Sequence, residues 1–343
     1  MHPALVGQSC SQCAKARRQF RFIRSPSFIY SRSSTMSNLG NLTSKVMLAS
    51  ISISVWGARR FDGKVTSEIE EAHRAKGIGR FNKRLLPDHC PSYKKVQAIA
   101  NRFRAHFYNN TLEYEQRGSR LLPTRVYMAL ADRARGYKNE FDRAVSIFMT
   151  DYQNLKDQAR IELNGLFNED DYPSAAQLNT KFAMKMSVLP FPDASQFGID
   201  VPPDVLAEIR HDIDEHVRRS VELANRDLIG RLYEAVKNMA ERLGSANTVR
   251  IDVATQVKEM CALLPQLNFT DDPMLTHVLD QARKHLAVHS GVDLKESPVL
   301  RSQVAEKATE IEHLMASFMG GGPRIAFGAD GGELPTQAHR CVR

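Results

Sequence analysis

The chain predicts a mainly α protein: two long antiparallel helices, shorter helices after them, and a small β element built from a strand near 46–56 and an extended hairpin at 181–201. Three observations carry this. From Pro123 to Leu163, apolar or small residues recur at Val126, Leu130, Ala134, Tyr137, Phe141, Val145, Phe148, Tyr152, Leu155, Ala159 and Leu163. Their mean step of 3.7 residues marks one face of a helix. A second stretch, opened by Pro202 and Pro203, repeats that length and step from Leu206 through Ile209, Ile213, Val217, Val221, Ala224, Leu228, Leu232, Ala235 and Met239 to Leu243. Between 46 and 56, VMLASISISVW alternates instead, with Ala49, Ile51, Ile53 and Val55 on one side and Ser50, Ser52 and Ser54 on the other. Period two is a strand.

The elements follow in order. After the first strand a helix is expected around 66–76, then a glycine-punctuated basic segment, KGIGRFNKRLLP, that stops at Pro87. A helix over about 92–108 turns Val96, Ile99, Ala100, Phe103 and Phe107 inward, and a loop through Gly118 leads to the first long helix, where Pro123 suits the first turn because its missing N–H has no partner to lose there. That helix stops at NGLFNEDDYPS, built from Gly165, the acids Glu169 to Asp171, and Pro173. Alternation returns in Phe182, Met184, Met186 and Val188, and again in Phe197, Ile199 and Val201, so these two runs read as a hairpin able to pair with 46–56. The second long helix is expected to fold back and pack stripe to stripe on the first, with shorter helices at about 251–264, 271–289 and 297–319 beyond it.

Four regions result: an extension at 1–35, an α+β core at 36–201, a helical region at 202–319, and a Gly/Pro-rich tail at 320–343 expected to be disordered. The extension, rich in Arg and Ser and free of acid, has the composition of an organelle transit peptide. The preferred reading is that it is disordered or misassigned, with Met36 the true start.

The formal charge of +8 suggests a polyanion ligand until its distribution is examined. Residues 1–35 hold six basic groups (Lys15, Arg17, Arg18, Arg21, Arg24, Arg32), which leaves 41 basic and 39 acidic residues in the other 308. The body is nearly neutral, and nucleic-acid binding would need a local patch. Five scattered cysteines (Cys10, Cys13, Cys90, Cys261, Cys341) fit a reducing compartment, and the CxxC of Cys10 and Cys13 has no second pair at zinc spacing. No apolar run is long enough to span a membrane.

Catalytic spacing is absent. His211 and His216 are five apart, about 140° past a full helical turn, and so do not share a face. His285 and His289 could chelate at i,i+4, but no Glu completes a hydrolase motif. Glu169, Asp170 and Asp171 would hold Mg²⁺ only if other carboxylates met them, and acids before a proline are usually a turn or cap. Pro87-Asp88 and Pro192-Asp193 lack the acid and lysine that would follow in a nuclease, and neither Gly77 with Gly79 nor the glycines at 320–322 have a phosphate-gripping Lys-Ser/Thr after them. The best binding candidates are two basic loops: Arg80, Lys83 and Arg84 within 77–87, and Arg117 and Arg120 within 117–123. Each ends in the tetrapeptide RLLP, and Arg102, Arg104 and His106 lie between them with Phe103 and Phe107 at core spacing.

Three segments together, VMLASISISVWGARR, GRFNKRLLP and TLEYEQRGSRLLP leading into NGLFNEDDYPS, resemble the phage, prophage and mobile-element proteins grouped as the domain of unknown function numbered 3150. The likeness covers 46–201 by motif and 202–319 by helical pattern. It departs at Glu113-Tyr114, where the family pattern would have Pro-Trp. The resemblance implies a bacterial host cell, a phage or mobile-element gene, and proximity to a MoxR-like AAA+ ATPase with a von Willebrand-type partner.

The resulting expectation is a non-enzymatic helical scaffold or adaptor in the bacterial cytoplasm, with no cofactor, no membrane association and a protein partner such as that ATPase or a second copy of the chain. Its working surface is expected at the ends of the first long helix, on Arg80, Lys83, Arg84, Arg117, Arg120, Glu169, Asp170 and Asp171. The alternative is a nucleic-acid-binding accessory that uses the two basic loops.

Overall fold

The computed structural model describes residues 42, 44–77, 79–116, 118–245 and 252–318, all within one compact unit. The calls on 1–35 and 320–343, on Cys10, Cys13 and Cys341, and on Arg117 lie outside the described residues. The fold is mainly helical with small antiparallel sheets.

Strand β1 (Val46–Ser54) is the centre of a three-stranded sheet, with β4 (Arg120–Pro123) on one side and β5 (Ala183–Pro190) on the other, both antiparallel to it. Register sets Ile51 opposite Met186 and Leu48 opposite Leu121. The alternation holds: Ile51, Ile53 and Val55 pack on the core, while Ser52 and Ser54 are exposed. A second ladder pairs β2 (Arg59–Phe61) with β3 (Asn82–Arg84). The second RLLP segment forms β4 whole, the first contributes only Arg84 to the end of β3, and all four leucines are buried.

Helix α1 (Gly63–Ala72) is capped by Asp62, whose carboxylate accepts from the Val65 N–H. Helix α2 (Pro91–Asn109) runs antiparallel to α3 (Thr124–Leu163), since Tyr93 meets Phe148 and Phe103 meets Tyr137. Pro123 is the residue before α3 and not part of its first turn, because its extended ψ of 136° still belongs to β4. The core gathers on this hairpin: Trp56, Tyr93, Phe103, Tyr137, Phe141 and Phe148 form one buried cluster with the sheet's inner face.

A short helix α4 (Ala175–Asn179), with a full capping box from Ser174 and Gln177, turns the chain into β5. The expected hairpin is half present. Met184, Met186 and Val188 lie on β5 as read, but 197–201 is not a strand. Pro190 and Pro192 break any continuing ladder, and the Asp193 carboxylate caps the N–H of Ser195 to make a tight turn instead.

Helix α5 (Pro203–Ser245) is the second long helix, followed by α6 (Asp252–Leu267), α7 (Pro273–His285), α8 (Gly291–Glu296) and α9 (Pro298–Phe318). The two long helices do not share a packed face, which corrects the expected stripe-to-stripe pairing. The stripe of α3 is already filled by α2 and the sheet, and that of α5 packs on α9 and α6. Matching length and period describe each helix's own apolar face and say nothing of what covers it. The expected helix at 271–289 ends at His285, so His289 lies beyond it in a turn and the two imidazoles lose their i,i+4 relation. Among the described residues no helix is long and apolar enough to cross a membrane.

Candidate functional site

The expected binding residues fall at opposite ends of α3, whose 40 residues span about 60 Å at about 1.5 Å each. Lys83 on β3 is 7% exposed. Its Nζ donates to the Leu166 carbonyl at 2.8 Å, lies 3.1 Å from Asp62 and 2.8 Å from Asp171, and so fastens β3 to the turns that follow α3. Burial pulls the Lys83 ammonium down, but its contacts with Asp171 and Asp62 outweigh burial and raise it above its ordinary value. Asp62 is held below the usual carboxylate range by the Val65 N–H first and Lys83 second. Asp171 Oδ2 is held by ion pairing and makes no well-aligned hydrogen bond, and Arg60 stands 3.4 Å from its other oxygen. Two segments singled out in the sequence, KRLLP and NEDDYP, therefore meet in one buried clasp. Behind it, burial pushes the phenols of Tyr152 and Tyr172 up to about 12, and Tyr152 donates to the Pro173 carbonyl at 2.9 Å.

The neighbours of the clasp are spent separately. Glu169 pairs with Lys156 and Arg160 on the end of α3, and contact with Lys156 is the main reason its carboxyl lies low. Asp170 is exposed, and its backbone N–H donates to the Asn168 side chain. Arg84 pairs with Asp88, and the Arg80 guanidinium lies 4.4 Å from the centre of the Phe61 ring. Glu169 and Asp171 face different cations while Asp170 points to solvent, and no group of three His, Cys, Asp or Glu side chains gathers at metal distance among the described residues.

At the N-terminal end of α3, Arg120 is also internal. Its Nε donates to Thr111 Oγ1 at 2.8 Å, its Nη2 to the Thr111 carbonyl at 3.2 Å and it lies 3.7 Å from Asp227 on α5. Burial lowers its pKa, and Asp227 opposes that effect. Arg231, one turn beyond Asp227, donates to that carboxylate and to the carbonyls of Tyr108, Asn109 and Thr111. Asp227 is 6% exposed in its side chain and also accepts from the Glu113 N–H at 3.2 Å. This staple joins the end of α2 to α5, and sequence reasoning missed it. The signal was an acid beside the stripe residue Leu228 with an arginine four residues on, both on the packed side of a helix.

Tyr114, the residue at the family departure, occupies the same junction. Its hydroxyl is 2.8 Å from His216 Nε2, and His216 Nδ1 is 2.7 Å from Glu115. Burial first and Glu115 second raise the Tyr114 phenol above its ordinary value. Tyr114 is buried, and this chain of three groups links α5 to the loop before β4. His211 takes no part. In the basic stretch on α2, Arg102 pairs with Glu140 at 3.0 Å and Phe103 and Phe107 are core residues.

Among the described residues a small hollow of about 160 Å³ lies beside Asn268, Asp271 and Arg283, and a larger opening lies on the flank of α3. A groove of about 490 Å³ runs between α3 and β5, floored by Tyr127, Ala131, Ala134, Met184, Met186 and Val188. β5 is the outer strand of its sheet, and its far edge carries no backbone partner among the described residues. Arg135 and Lys138 stand on the helix side. Of the residues expected to form a working surface at the ends of α3, Lys83 and Arg120 are internal, while Arg80, Arg84, Glu169 and Asp170 are exposed.

No family model, curated protein or solved structure matches this chain.

Proposed function

We propose that the protein is a non-enzymatic adaptor that holds a protein partner along the flank of α3. The observation that carries this is a groove walled on one side by Met184, Met186 and Val188, beside a strand edge that has no backbone partner among the described residues. The polar clusters offer no comparable opening: the buried cations and acids are consumed in joining elements of the fold. Met128 on α3 and Leu189 on β5 are also exposed, at 66% and 60%, and exposed apolar surface is associated with partner binding.

The resemblance of 46–201 to phage and mobile-element proteins makes the bacterial cytoplasm the proposed setting and a MoxR-like AAA+ ATPase the first partner to test. Cross-linked co-purification from host cells, followed by mass spectrometry, is the experiment. Recovery of a stoichiometric protein partner is the expected result. A chain that emerges alone and monomeric after cross-linking overturns the adaptor reading.

A further inference from the structure

We infer that Asn164 is a site of spontaneous covalent modification, where the side-chain carboxamide closes on the Gly165 backbone nitrogen and the chain passes through a cyclic imide to aspartate and isoaspartate. Asn-Gly occurs once in the chain, here at the end of α3. Glycine puts no side chain beside the attacking nitrogen, and asparagine is one of the thermolabile residues. Both residues are exposed. The Asn164 carboxamide has no hydrogen-bond partner among the described residues, so it is free to turn toward the backbone.

The backbone conformation decides the chemistry. Asn164 caps α3 with φ at 44° and ψ at −114°. A positive φ costs an L residue free energy, and asparagine is one of the few types that enter that region. The imide ring consists of the Asn164 Cα, Cβ, Cγ and carbonyl carbon together with the Gly165 nitrogen. It closes only when Cβ and that nitrogen are nearly eclipsed about the Cα–C bond. In an L residue Cβ is turned about 120° from the residue's own nitrogen about that bond, so a ψ of −114° brings Cβ and the Gly165 nitrogen within about 10° of eclipsed. A helical ψ holds the same two atoms about 80° apart. Asn139 and Asn154, inside α3, are therefore kept away from ring closure, while Asn164 is already on the path to it.

The reaction needs only water. Hydroxide takes the proton of the Gly165 N–H, and the nitrogen attacks Asn164 Cγ to form the new N–Cγ bond. The Cγ–Nδ2 bond breaks, and Nδ2 leaves as ammonia with a proton from water, which restores the hydroxide. Water then adds to either ring carbonyl. Opening at Cγ gives aspartate; opening at the main-chain carbonyl gives isoaspartate, whose backbone runs through Cβ and is longer by one atom. That atom would enter the turn Asn164–Leu166, which presents the Leu166 carbonyl to Lys83 and leads to Phe167, stacked on Tyr172. Either product also sets a carboxylate at the C-terminal end of a helix, where negative charge is unfavourable. Conversion therefore loosens the clasp.

The test ages the full chain in neutral buffer beside a synthetic peptide spanning the same sequence, and follows the tryptic fragment after Arg160 by mass spectrometry. The imide is lighter by one ammonia, and isoaspartate is separated from aspartate by chromatography and marked by enzymatic methylation. Because ψ is already set, the folded chain should convert about tenfold faster than the peptide, which must first find that conformation. The rate should rise with pH, since the attacking group is the deprotonated amide. A Cβ on Gly165 meets nothing within 4 Å, so Gly165→Ala should fold as the parent does and convert more slowly. Asn164→Gly should not convert and should melt no lower than the parent, because glycine accepts a positive φ. Aged parent should melt below fresh parent, and aged Asn164→Gly should not.

Conversion at Asn164 no faster than in the peptide overturns the inference. So does aspartate formed without isoaspartate, which would mean direct hydrolysis of the carboxamide with no ring. Aged chains rich in isoaspartate that melt with fresh ones overturn the link to the clasp.

Discussion

The two ends of α3 are closed with the same chemistry and hold different things together. At the C-terminal end one lysine sits between two aspartates, and every member belongs to the stretch from Asp62 to Asp171. At the N-terminal end one aspartate sits between two arginines, and it ties Thr111 and β4 to a helix more than a hundred residues away. The surplus charge is handled differently. Asp62 spends its excess on the Val65 N–H of the helix it caps, and Asp171 has Arg60 at the solvent edge. Arg231 spends its spare donors on three backbone carbonyls, which only a guanidinium can reach together. The comparison separates a clasp that sets local loop shape from a staple that joins the two halves of the molecule.

The staple should be the costlier to break. Asp227→Ala leaves Arg120 and Arg231 without their acid in a largely buried site, and the expected loss is about 3–5 kcal/mol in urea unfolding. Loss of the joint between α5 and the rest should also split the unfolding transition in two. A single transition displaced by less than about 1 kcal/mol would mean the guanidiniums relax into water and the halves are held by apolar contact alone.

Lys83→Met should cost less, about 1–3 kcal/mol, because Asp171 keeps Arg60 and Asp62 keeps its backbone donor. Its pH signature is distinctive. Asp62 is depressed in the fold, so its contribution is present above its ordinary value of 3.8 and is lost as pH falls through the lower folded value. Lys83 is raised, so its contribution is present below its ordinary 10.5 and is lost as pH rises through the higher folded value. Parent and variant should therefore differ most between those limits and converge at both extremes. A constant difference from acid to alkali would show that the lysine acts through packing of its stem alone.

The contrast also shows what the residues announced in advance. The face of each long helix, the alternation of β1, the buried Phe103 and Phe107 and the helix start at Pro203 follow from periods and breakers within one element, and all are found. Which face meets which depends on residues far apart in the chain, and there the pattern is silent: α2, not α5, fills the stripe of α3. Basic loops look alike whether solvated or paired. Lys83 and Arg120 read as surface cations because Asp171 and Asp227 stand so far from them in sequence, although the clasp joins two oppositely charged segments already conspicuous as motifs. The groove left no local mark, since Met184 and Met186 have the same spacing whether covered or open.

Within the junction, the link through Tyr114 should matter less than the staple beside it. Tyr114→Phe removes one hydrogen bond to His216 and leaves the ring against Phe191, for an expected cost of about 0.5–1.5 kcal/mol. His216 keeps Glu115. Because the lost hydroxyl carries no charge, the cost should be the same at about 0.1 M and about 1 M salt. A cost that disappears in high salt would place the coupling in the His216–Glu115 ion pair instead.

The smallest effect belongs to the two cations of the 77–87 loop that stay in solvent. Arg80 rests on the exposed Phe61 ring and Arg84 pairs with Asp88, so replacing both with alanine should change stability by less than about 1 kcal/mol. That near-silence makes the pair a clean probe of the nucleic-acid alternative. With Lys83 and Arg120 committed to internal acids, the segments 77–87 and 117–123 keep only Arg80 and Arg84 in solvent among their described cations. Duplex DNA should therefore show no binding above about 150 mM salt, with or without Arg80 and Arg84. Binding that survives that salt and falls in the double variant would move the working surface from the flank of α3 back to its end.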